Sequence, residues 1–258
     1  MNVAASDMRS PRAPASHSIP PRGSRAPRVV AVIPVHDEAA TIASVVEDAL
    51  VHCDRVVVVD DGSADDSARI AANAGAFVVR QERRRGKGAA IRRGIETVLD
   101  LPGLDTEALG AIVLLDGDGQ HDPADIPRFI AALARGARIA VGDRSTHFAR
   151  MSRVRRWTNR AMTRVLASRF LAGAARAADS QCGFRALDAT TCRALSFRSD
   201  HFEVESEMLI EAARLELRCE NVPIRVRPRR GRSRIRVLPD TLRFLALVVV
   251  AASERRDG

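Results

Sequence analysis

The chain has 258 residues, 46% of them hydrophobic, so it can bury one substantial core. Its formal net charge of +9 favours polyanionic partners: nucleic acid, an anionic membrane surface or phosphorylated substrates. Aromatic residues make up only 3% of the chain and tyrosine is absent, which argues against a nucleic-acid binder that stacks single-stranded bases on aromatic rings.

Residues 1–27 carry scattered proline and arginine and no periodic apolar pattern. We therefore predict a disordered tail, followed by a single domain over residues 28–258. The tail lacks the continuous apolar run of a secretory signal, which predicts a cytoplasmic protein. The four cysteines show no metal-ligand spacing and are expected to be reduced and mostly buried. They are Cys53, Cys182, Cys192 and Cys219.

Short β-branched runs alternate with helical patterns through the first half of the chain. Residues 28–35 and 55–59 predict buried strands, and residues 39–51 predict the helix between them, with Thr41 or the acidic pair before it near its start. The pattern continues with a helix at 64–74, a strand at 76–80, a helix from about 87 and a strand at 111–115. These βαβ units predict an α/β fold with a mostly parallel, Rossmann-like sheet flanked by helices. Ligands are expected at the carboxyl ends of its strands.

The pattern changes after residue 123. In order, we predict a helix at 123–135, a strand ending at 141–144, a basic helix at 151–171, a loop at 179–185, a helix at 203–217, a basic strand at 222–227 and an apolar helix at 240–252. The last apolar run is too short to cross a bilayer, which takes about 20 residues. We expect this helix to dock on the domain, with a peripheral contact at the inner face of the membrane as the alternative.

Three acidic loops follow predicted strands. They span residues 34–38, 60–66 and 116–122. In the third loop, Asp116 and Asp118 are separated by one glycine and followed by Gln120, and such oxygen ligands suit Mg²⁺ or Mn²⁺. A solvated acidic turn is the alternative. Because three acidic loops at one sheet edge would repel each other, their coincidence favours a bound cation or a donor-rich ligand.

A basic segment, residues 225–236, contains seven arginines. Guanidinium groups match phosphate geometry, so the segment predicts a phosphate site. A solvated basic strand is the alternative.

These segments resemble the family 2 glycosyltransferases with the GT-A fold, and within them the dolichyl-phosphate mannose synthase-like branch. The matching segments follow one another in the expected order over about residues 28–250. They are IPVHDEAATI (33–42), VVVVDDGSADDS (56–67), GKGAAIRRG (86–94), LLDGDGQHDP (114–123), VGDR (141–144), CGFRAL (182–187), FEVESEMLIEA (202–212) and VPIRVRPRRGRSR (222–234).

The resemblance implies a metal-dependent enzyme that moves a hexose from a GDP- or UDP-hexose to a polyprenyl phosphate with inversion, using Mg²⁺ or Mn²⁺. The implied catalytic residues are Asp118, Arg144 and Arg229. The implied metal ligands are Asp116, Asp118 and Gln120. The implied substrate-binding residues are Pro34, His36, Glu38, Asp61, Lys87, Asp116, Gly117, Arg185, Glu203, Ser233 and Arg234. For Lys87, a solvated basic loop remains an equal alternative.

Two other functions remain open at this point. A glycosyltransferase of the same kind that acts on a glycan or another hydroxyl acceptor is the first alternative. A basic nucleic-acid-binding module ranks last, because it leaves the three acidic loops unexplained, and no nucleic-acid partner is expected. The sequence does not specify the base or the sugar of the donor.

Overall fold

A computed structural model describes residues 28–101, 108–145, 153–170, 177–228 and 237–254, without the side chains of 153–155, 237–239 and 254. The predicted tail at 1–27 lies outside these ranges, so its disorder and the single-domain organisation stay predictions.

Seven strands form one sheet. They are β1 (Arg28–Val35), β2 (Arg55–Asp60), β3 (Phe77–Arg80), β4 (Leu109–Leu114), β5 (Ile139–Asp143), β6 (Arg185–Asp188) and β7 (Cys219–Pro223). Their order across the sheet is β3-β2-β1-β4-β6-β5-β7. Only β6 among them runs antiparallel, between β4 and β5. The predicted mostly parallel α/β sheet is confirmed.

Eight helices flank the sheet in the described ranges. They are α1 (Ile42–Leu50), α2 (Ser67–Asn73), α3 (Lys87–Leu99), α4 (Ile126–Ala134), α5 (Arg153–Arg169), α6 (Ala189–Ala194), α7 (Val204–Arg214) and α8 (Val237–Glu254). A 3-10 turn, Pro123–Asp125, leads into α4. Within these ranges, no helix is both long and apolar enough to cross a membrane.

The core forms two layers because alternate side chains of a strand point to opposite faces of the sheet. Val30 and Val32 of β1 pack in a cluster with α3, α5, α7 and α8. Ala31 and Ile33 pack on the other face with α1 and α4. Each fully buried valine or isoleucine of these clusters stabilises the fold by about 1.5–3 kcal/mol. Both faces of the central strands are buried, as their continuous β-branched runs predict.

Several local predictions need correction. The segment 179–185 is a loop only until Arg185, where β6 begins, and the following helix α6 was not predicted. The basic strand expected at 222–227 is instead β7, which ends at Pro223, and Val226 makes only an isolated bridge with His121. Thr41 precedes α1 but does not cap it, because its hydroxyl donates to the Gly117 carbonyl at 2.7 Å.

Candidate active site

A cavity of about 660 Å³ lies at the carboxyl ends of β1, β2 and β4. The loops after these strands form one side of it, and residues of α5, α7 and α8 close the other. A cleft of this size at the switch region of an α/β sheet is where a ligand is expected. The cavity therefore lies where the acidic loops predicted a site.

Most of the predicted site residues line this cavity. They are Pro34, His36, Glu38, Asp61, Lys87, Asp116, Gly117, Asp118, Gln120, Arg144 and Glu203. Arg229, Ser233 and Arg234 lie outside the described residues, so their roles remain predictions. Arg185 is discussed below.

The first two acidic loops are held by hydrogen bonds within the protein. The Asp61 carboxylate accepts the backbone amides of Arg85, at 2.6 Å, and Gly86, at 2.8 Å. Asp37 accepts the Ala64 amide at 2.7 Å and so ties the first loop to the second. Backbone donors therefore satisfy much of the negative charge that the sequence pattern assigned to a cation or ligand.

Lys87, at the first position of α3, links two carboxylates. Its ammonium nitrogen lies 2.5 Å from Asp116 Oδ1 and 2.6 Å from Glu205 Oε1, with side chains of Lys87 and Glu205 only 12% and 5% exposed. Burial disfavours the charged ammonium, but attraction to the two carboxylates outweighs it and raises the pKa of Lys87 above its ordinary value. The solvated-loop alternative for Lys87 is therefore wrong.

The backbone of Gly183 leaves little space around this ion cluster. A Cβ atom at Gly183 would lie 2.6 Å from Lys87 Nζ and 3.0 Å from both carboxylate oxygens of Asp116. Lys87 is also the only lysine in the sequence, where every other permanent side-chain cation is an arginine. A compact ammonium fits this space, whereas a planar guanidinium is bulkier.

His121 is a buried residue whose ring contacts the third loop. It is 3% exposed, and its ring stacks on Phe184 at 5.2 Å between centroids. Burial lowers the pKa of His121, so the ring is neutral at pH 7. Its Nδ1 accepts the Asp116 backbone amide at 3.2 Å, which assigns the ring proton to Nε2. The sequence analysis did not single out His121.

The carboxylates of the third loop form a small set of hard oxygen donors. Asp118 Oδ1 accepts the Gln120 amide at 3.0 Å, which fixes the turn between them. Within the ranges described, three or more His, Cys, Asp or Glu side chains do not converge into a metal cage. Mg²⁺ characteristically binds one or two carboxylates together with substrate phosphates and water. Asp116 and Asp118 therefore fit a cation that shares its remaining ligands with a diphosphate.

Arg144 lines the same cavity, and its orientation is fixed. Its Nε and one terminal nitrogen bind the Asp179 carboxylate at 2.6 and 3.0 Å. Asp179 is fully buried and also accepts the Asn159 amide at 3.2 Å. This two-point contact holds the guanidinium plane in one orientation, with N–H groups left over for a cavity ligand.

Arg185 requires a correction, because it does not line the cavity. Its side chain is 1% exposed and donates to the carbonyls of Cys182, at 2.9 Å, Ser180, at 2.8 Å, and Glu205, at 2.6 Å. All three partners are backbone groups. Arg185 therefore positions the loop before β6 and the start of α7 and does not contact substrate.

The first arginines of the basic segment already have partners. Arg225 lies 3.2 Å from Asp125 Oδ1, and Arg227 lies 2.8 Å from both Asp48 Oδ2 and Asp122 Oδ1. The density of arginine here is therefore balanced in part by the protein's own carboxylates. Arg227 still lines the cavity, with its orientation fixed by those contacts.

Besides His121, sequence reasoning missed two residues that hold the site. Glu205 comes from α7 and Asp179 from the loop before β6, both far along the chain from the side chains they bind. For Glu205, the one lysine of the sequence was a usable signal, since a buried lysine requires acidic partners. We find no comparable sequence signal for Asp179.

Comparison with known proteins identifies the family. Residues 30–203 match the family described as Glycosyl transferase family 2. The chain belongs to this family. The family predicted from the strand-end motifs is confirmed, and so is the prediction of a glycosyltransferase.

Two relatives illustrate the membership. Glycosyltransferase AglJ of Haloferax volcanii is 32% identical over 207 residues, which cover 78% of this chain and 63% of AglJ. The chain thus spans less than two thirds of the length of AglJ. A UDP-N-acetylglucosamine–dolichyl-phosphate N-acetylglucosaminyltransferase of Methanococcus voltae is 28% identical over 218 residues, which cover 75% of this chain and 83% of the relative.

The fold is similar to that of solved glycosyltransferases. Glucosyl-3-phosphoglycerate synthase from Mycobacterium tuberculosis, in complex with Mn²⁺, UDP-glucose and phosphoglyceric acid, superposes with a TM-score of 0.64 at 24% identity, covering 88% of this chain and 79% of the synthase. A likeness at this identity shows the fold alone. It confirms the predicted GT-A fold.

Proposed function

We propose that this chain transfers a hexosyl group from GDP- or UDP-hexose to a polyprenyl phosphate, with inversion and with Mg²⁺ or Mn²⁺. The observation that carries the proposal is the arrangement of opposite charges in one cavity. Asp116 and Asp118 lie at the end of β4, and the anchored guanidinium groups of Arg144 and Arg227 line the same cavity.

The carboxylates of the third loop suit the donor. Asp116, Asp118 and the Gln120 side-chain oxygen would hold the cation, which when bound acts as a Lewis acid toward the diphosphate. The 2.5 Å contact with Lys87 holds the Asp116 carboxylate in a fixed position in the third loop. The M. tuberculosis synthase that was solved with Mn²⁺ and UDP-glucose has the same fold, which supports a nucleotide sugar as donor.

The anchored guanidinium groups that line the cavity suit a phosphate acceptor. Arg144 and Arg227 are both held by carboxylates, so little entropy is lost when they receive a phosphate oxygen. A phosphate acceptor is already ionised at neutral pH and needs no general base. The named activity of the M. voltae relative, which has a dolichyl-phosphate acceptor, supports the same choice.

The reaction then proceeds by one displacement. An oxygen of the acceptor phosphate forms a bond to the anomeric carbon while the bond from that carbon to the diphosphate oxygen breaks. The electron pair leaves with the nucleoside diphosphate, and one displacement inverts the anomeric centre. The role of Arg144 is to orient the incoming phosphate and to screen its charge from the diphosphate.

A hydroxyl acceptor is the second candidate, and Glu203 is the residue that favours it. Glu203 lines the cavity, and among the described residues its buried Oε2 has no hydrogen-bond partner. A carboxylate in this state has the character of a general base for a hydroxyl group. Replacement of Glu203 by glutamine distinguishes the candidates, because only the hydroxyl reaction requires the base.

The test assays labelled GDP- and UDP-hexoses against polyprenyl phosphate and against hydroxyl acceptors, with Mn²⁺ or a chelator. We expect lipid-linked hexose to form only with the cation. Asp118→Asn should reduce the rate roughly 100-fold or more, while the fold is kept. Asp66→Asn, at an exposed aspartate, is the matched control and should retain full rate.

Three results would overturn the proposal. Transfer that persists with chelator present would reject the cation. Full activity of Asp118→Asn would reject the assigned carboxylate. Transfer to hydroxyl acceptors that is lost in Glu203→Gln, with no transfer to polyprenyl phosphate, would establish the second candidate.

A further inference from the structure

One face of α8 exposes a continuous apolar strip. Leu242, Leu245 and Val249 are 66%, 47% and 68% exposed, and their spacing places them on the same side of the helix. Val250, 54% exposed, widens the strip. Single exposed apolar residues are common, but a row of four on one helix marks an interaction surface.

The opposite face of α8 belongs to the domain. Phe244 and Ala251 are 3% and 4% exposed and pack in the core cluster. Asp240, Thr241 and Phe244 line the active-site cavity. A single helix therefore separates the cavity from the apolar strip, so whatever covers the strip lies next to the cavity wall.

Helix α5 packs against α8 and adds a basic, aromatic surface. It contains six arginines and no acidic residue. Trp157 is 73% exposed, and Arg160 and Arg164 are exposed three and seven positions further along, on the same side of the helix. Tryptophan favours the interface between lipid and water, and arginine is attracted to anionic headgroups.

We propose that the exposed faces of α5 and α8 form a membrane-docking surface for a bilayer that contains anionic lipid. Leu242, Leu245 and Val249 would enter the headgroup and acyl boundary, with Trp157 beside them and the α5 arginines at the phosphates. This is the in-plane arrangement of an interfacial helix.

Charge favours a lipid surface over a second copy of the chain. A symmetric dimer through this face would bring the arginines of two α5 helices together without acidic partners on that helix, which is unfavourable. An anionic bilayer provides both the apolar layer and the negative charge. If the proposed function holds, docking also presents the cavity to the phosphate of a membrane-anchored acceptor. That last consequence rests on the proposed function, whereas the docking itself does not.

Vesicle flotation tests the surface without any acceptor lipid. The probes are vesicles of phosphatidylcholine alone and vesicles of about three parts phosphatidylcholine to one part phosphatidylglycerol. We expect the full chain to float with the anionic vesicles and to be released by high salt. Leu242→Glu/Val249→Glu should lower the bound fraction about ten-fold or more, because it places two charges in the boundary layer.

The matched control is Val51→Glu. Val51 is 75% exposed but follows α1, which packs on the other face of the sheet. This variant should bind vesicles like the wild type. Thermal melts of all variants check that the substitutions leave the fold intact. Trp157→Ala should lower binding to anionic vesicles several-fold, since Trp157 is the exposed aromatic of this surface.

Several outcomes would overturn the proposal. Failure of the wild type to float is one, and flotation of the double variant at the level of Val51→Glu is another. A wild-type dimer in solution that Leu242→Glu/Val249→Glu converts to a monomer would instead assign the face to a second copy.

Transfer to a short-chain, water-soluble polyprenyl phosphate should be unchanged in the double variant. Loss of vesicle binding with this transfer intact therefore separates the docking surface from the proposed function.

Discussion

Removal of the Lys87 ammonium group should destabilise the folded chain strongly. Lys87→Met keeps an unbranched side chain but leaves the Asp116 and Glu205 carboxylates facing each other without a cation. The two ion pairs that this substitution removes are 2.5 and 2.6 Å long, and the Glu205 side chain is 5% exposed. Water therefore cannot replace the ammonium at Glu205 without opening the site.

The magnitude follows from these distances. At an effective dielectric constant of about 20, each ion pair provides roughly 6 kcal/mol of attraction, offset by several kcal/mol of desolvation for each buried ion. Removal of one partner from such a group typically costs about 3–5 kcal/mol. For a chain of this size, that loss corresponds to a melting temperature lower by roughly 10 °C.

Calorimetry on four variants measures the effect. Lys87→Met should melt about 10 °C below wild type. The melting temperature of Glu205→Gln should fall by less. The double variant Lys87→Met/Glu205→Gln should recover part of the stability that Lys87→Met loses, because it also removes the uncompensated Glu205 charge. Lys87→Arg keeps the charge but should not retain wild-type stability, since a guanidinium is bulkier than the ammonium and the Gly183 backbone leaves little space beside it. Additive effects in the double variant, or wild-type stability of Lys87→Arg, would refute the coupling.

Three further predictions concern other parts of the fold. Gly88→Ala should destabilise the chain by about 1–3 kcal/mol in denaturant unfolding, because its Cβ would lie 2.0 Å from the Ser199 carbonyl oxygen. Asp179→Asn should lower transfer rates roughly 10- to 100-fold, because it frees Arg144 to rotate. The kinetic constants for the phosphate acceptor should change more than those for the donor. Asp188→Ala should cost about 1 kcal/mol at pH 7, because Asp188 caps α6.

The Asp188 effect should depend on pH. Burial tends to raise the pKa of this carboxyl, but its hydrogen bonds from Thr190 and Thr191 outweigh burial and lower it. A lowered folded-state pKa contributes stability above the unfolded value of about 3.9, and that contribution is lost as pH falls. Melts from pH 7 to 3 should therefore show the variant approaching wild type.

Each of these predictions has a contrary result. A deficit of Asp188→Ala that stays constant down to pH 3 would contradict the capping role. An unchanged unfolding midpoint in Gly88→Ala would mean that the Ser199 loop moves aside at no cost. Wild-type acceptor kinetics in Asp179→Asn would show that Arg144 needs no anchor.

The sequence predicted the first half of the fold well because β1, β2 and β4 are buried on both faces. Such strands must be continuous and apolar, and the loops that follow them collect at one sheet edge. The second half was harder to predict. Strand β6 has only the four residues RALD, with a buried arginine among them, so no alternation or apolar run marks it.

The sequence predicted the cavity side chains better than their partners. Asp116 and Asp118 follow a strand directly, so their position depends on local structure. Glu205 and Asp179 act through contacts between distant segments, which no local pattern encodes. The inference that all three acidic loops need a bound cation or a donor-rich ligand was too broad, because Asp61 is satisfied by two backbone amides. Hydrogen bonds from a neighbouring loop cannot be read from charge alone.

The central claim is that Asp116 and Asp118 hold a divalent cation in this cavity, and the single lysine offers a direct measurement. Lysine labelled with ¹³C at its ε-carbon gives one signal, from Lys87, whose ammonium contacts Asp116 at 2.5 Å. Titration with paramagnetic Mn²⁺ in the presence of UDP or GDP should broaden this signal at low cation concentration, and the same titration of Asp118→Asn should leave it sharp. A Lys87 signal that stays sharp in the wild type, or broadens equally in the variant, would contradict a cation site at Asp116 and Asp118.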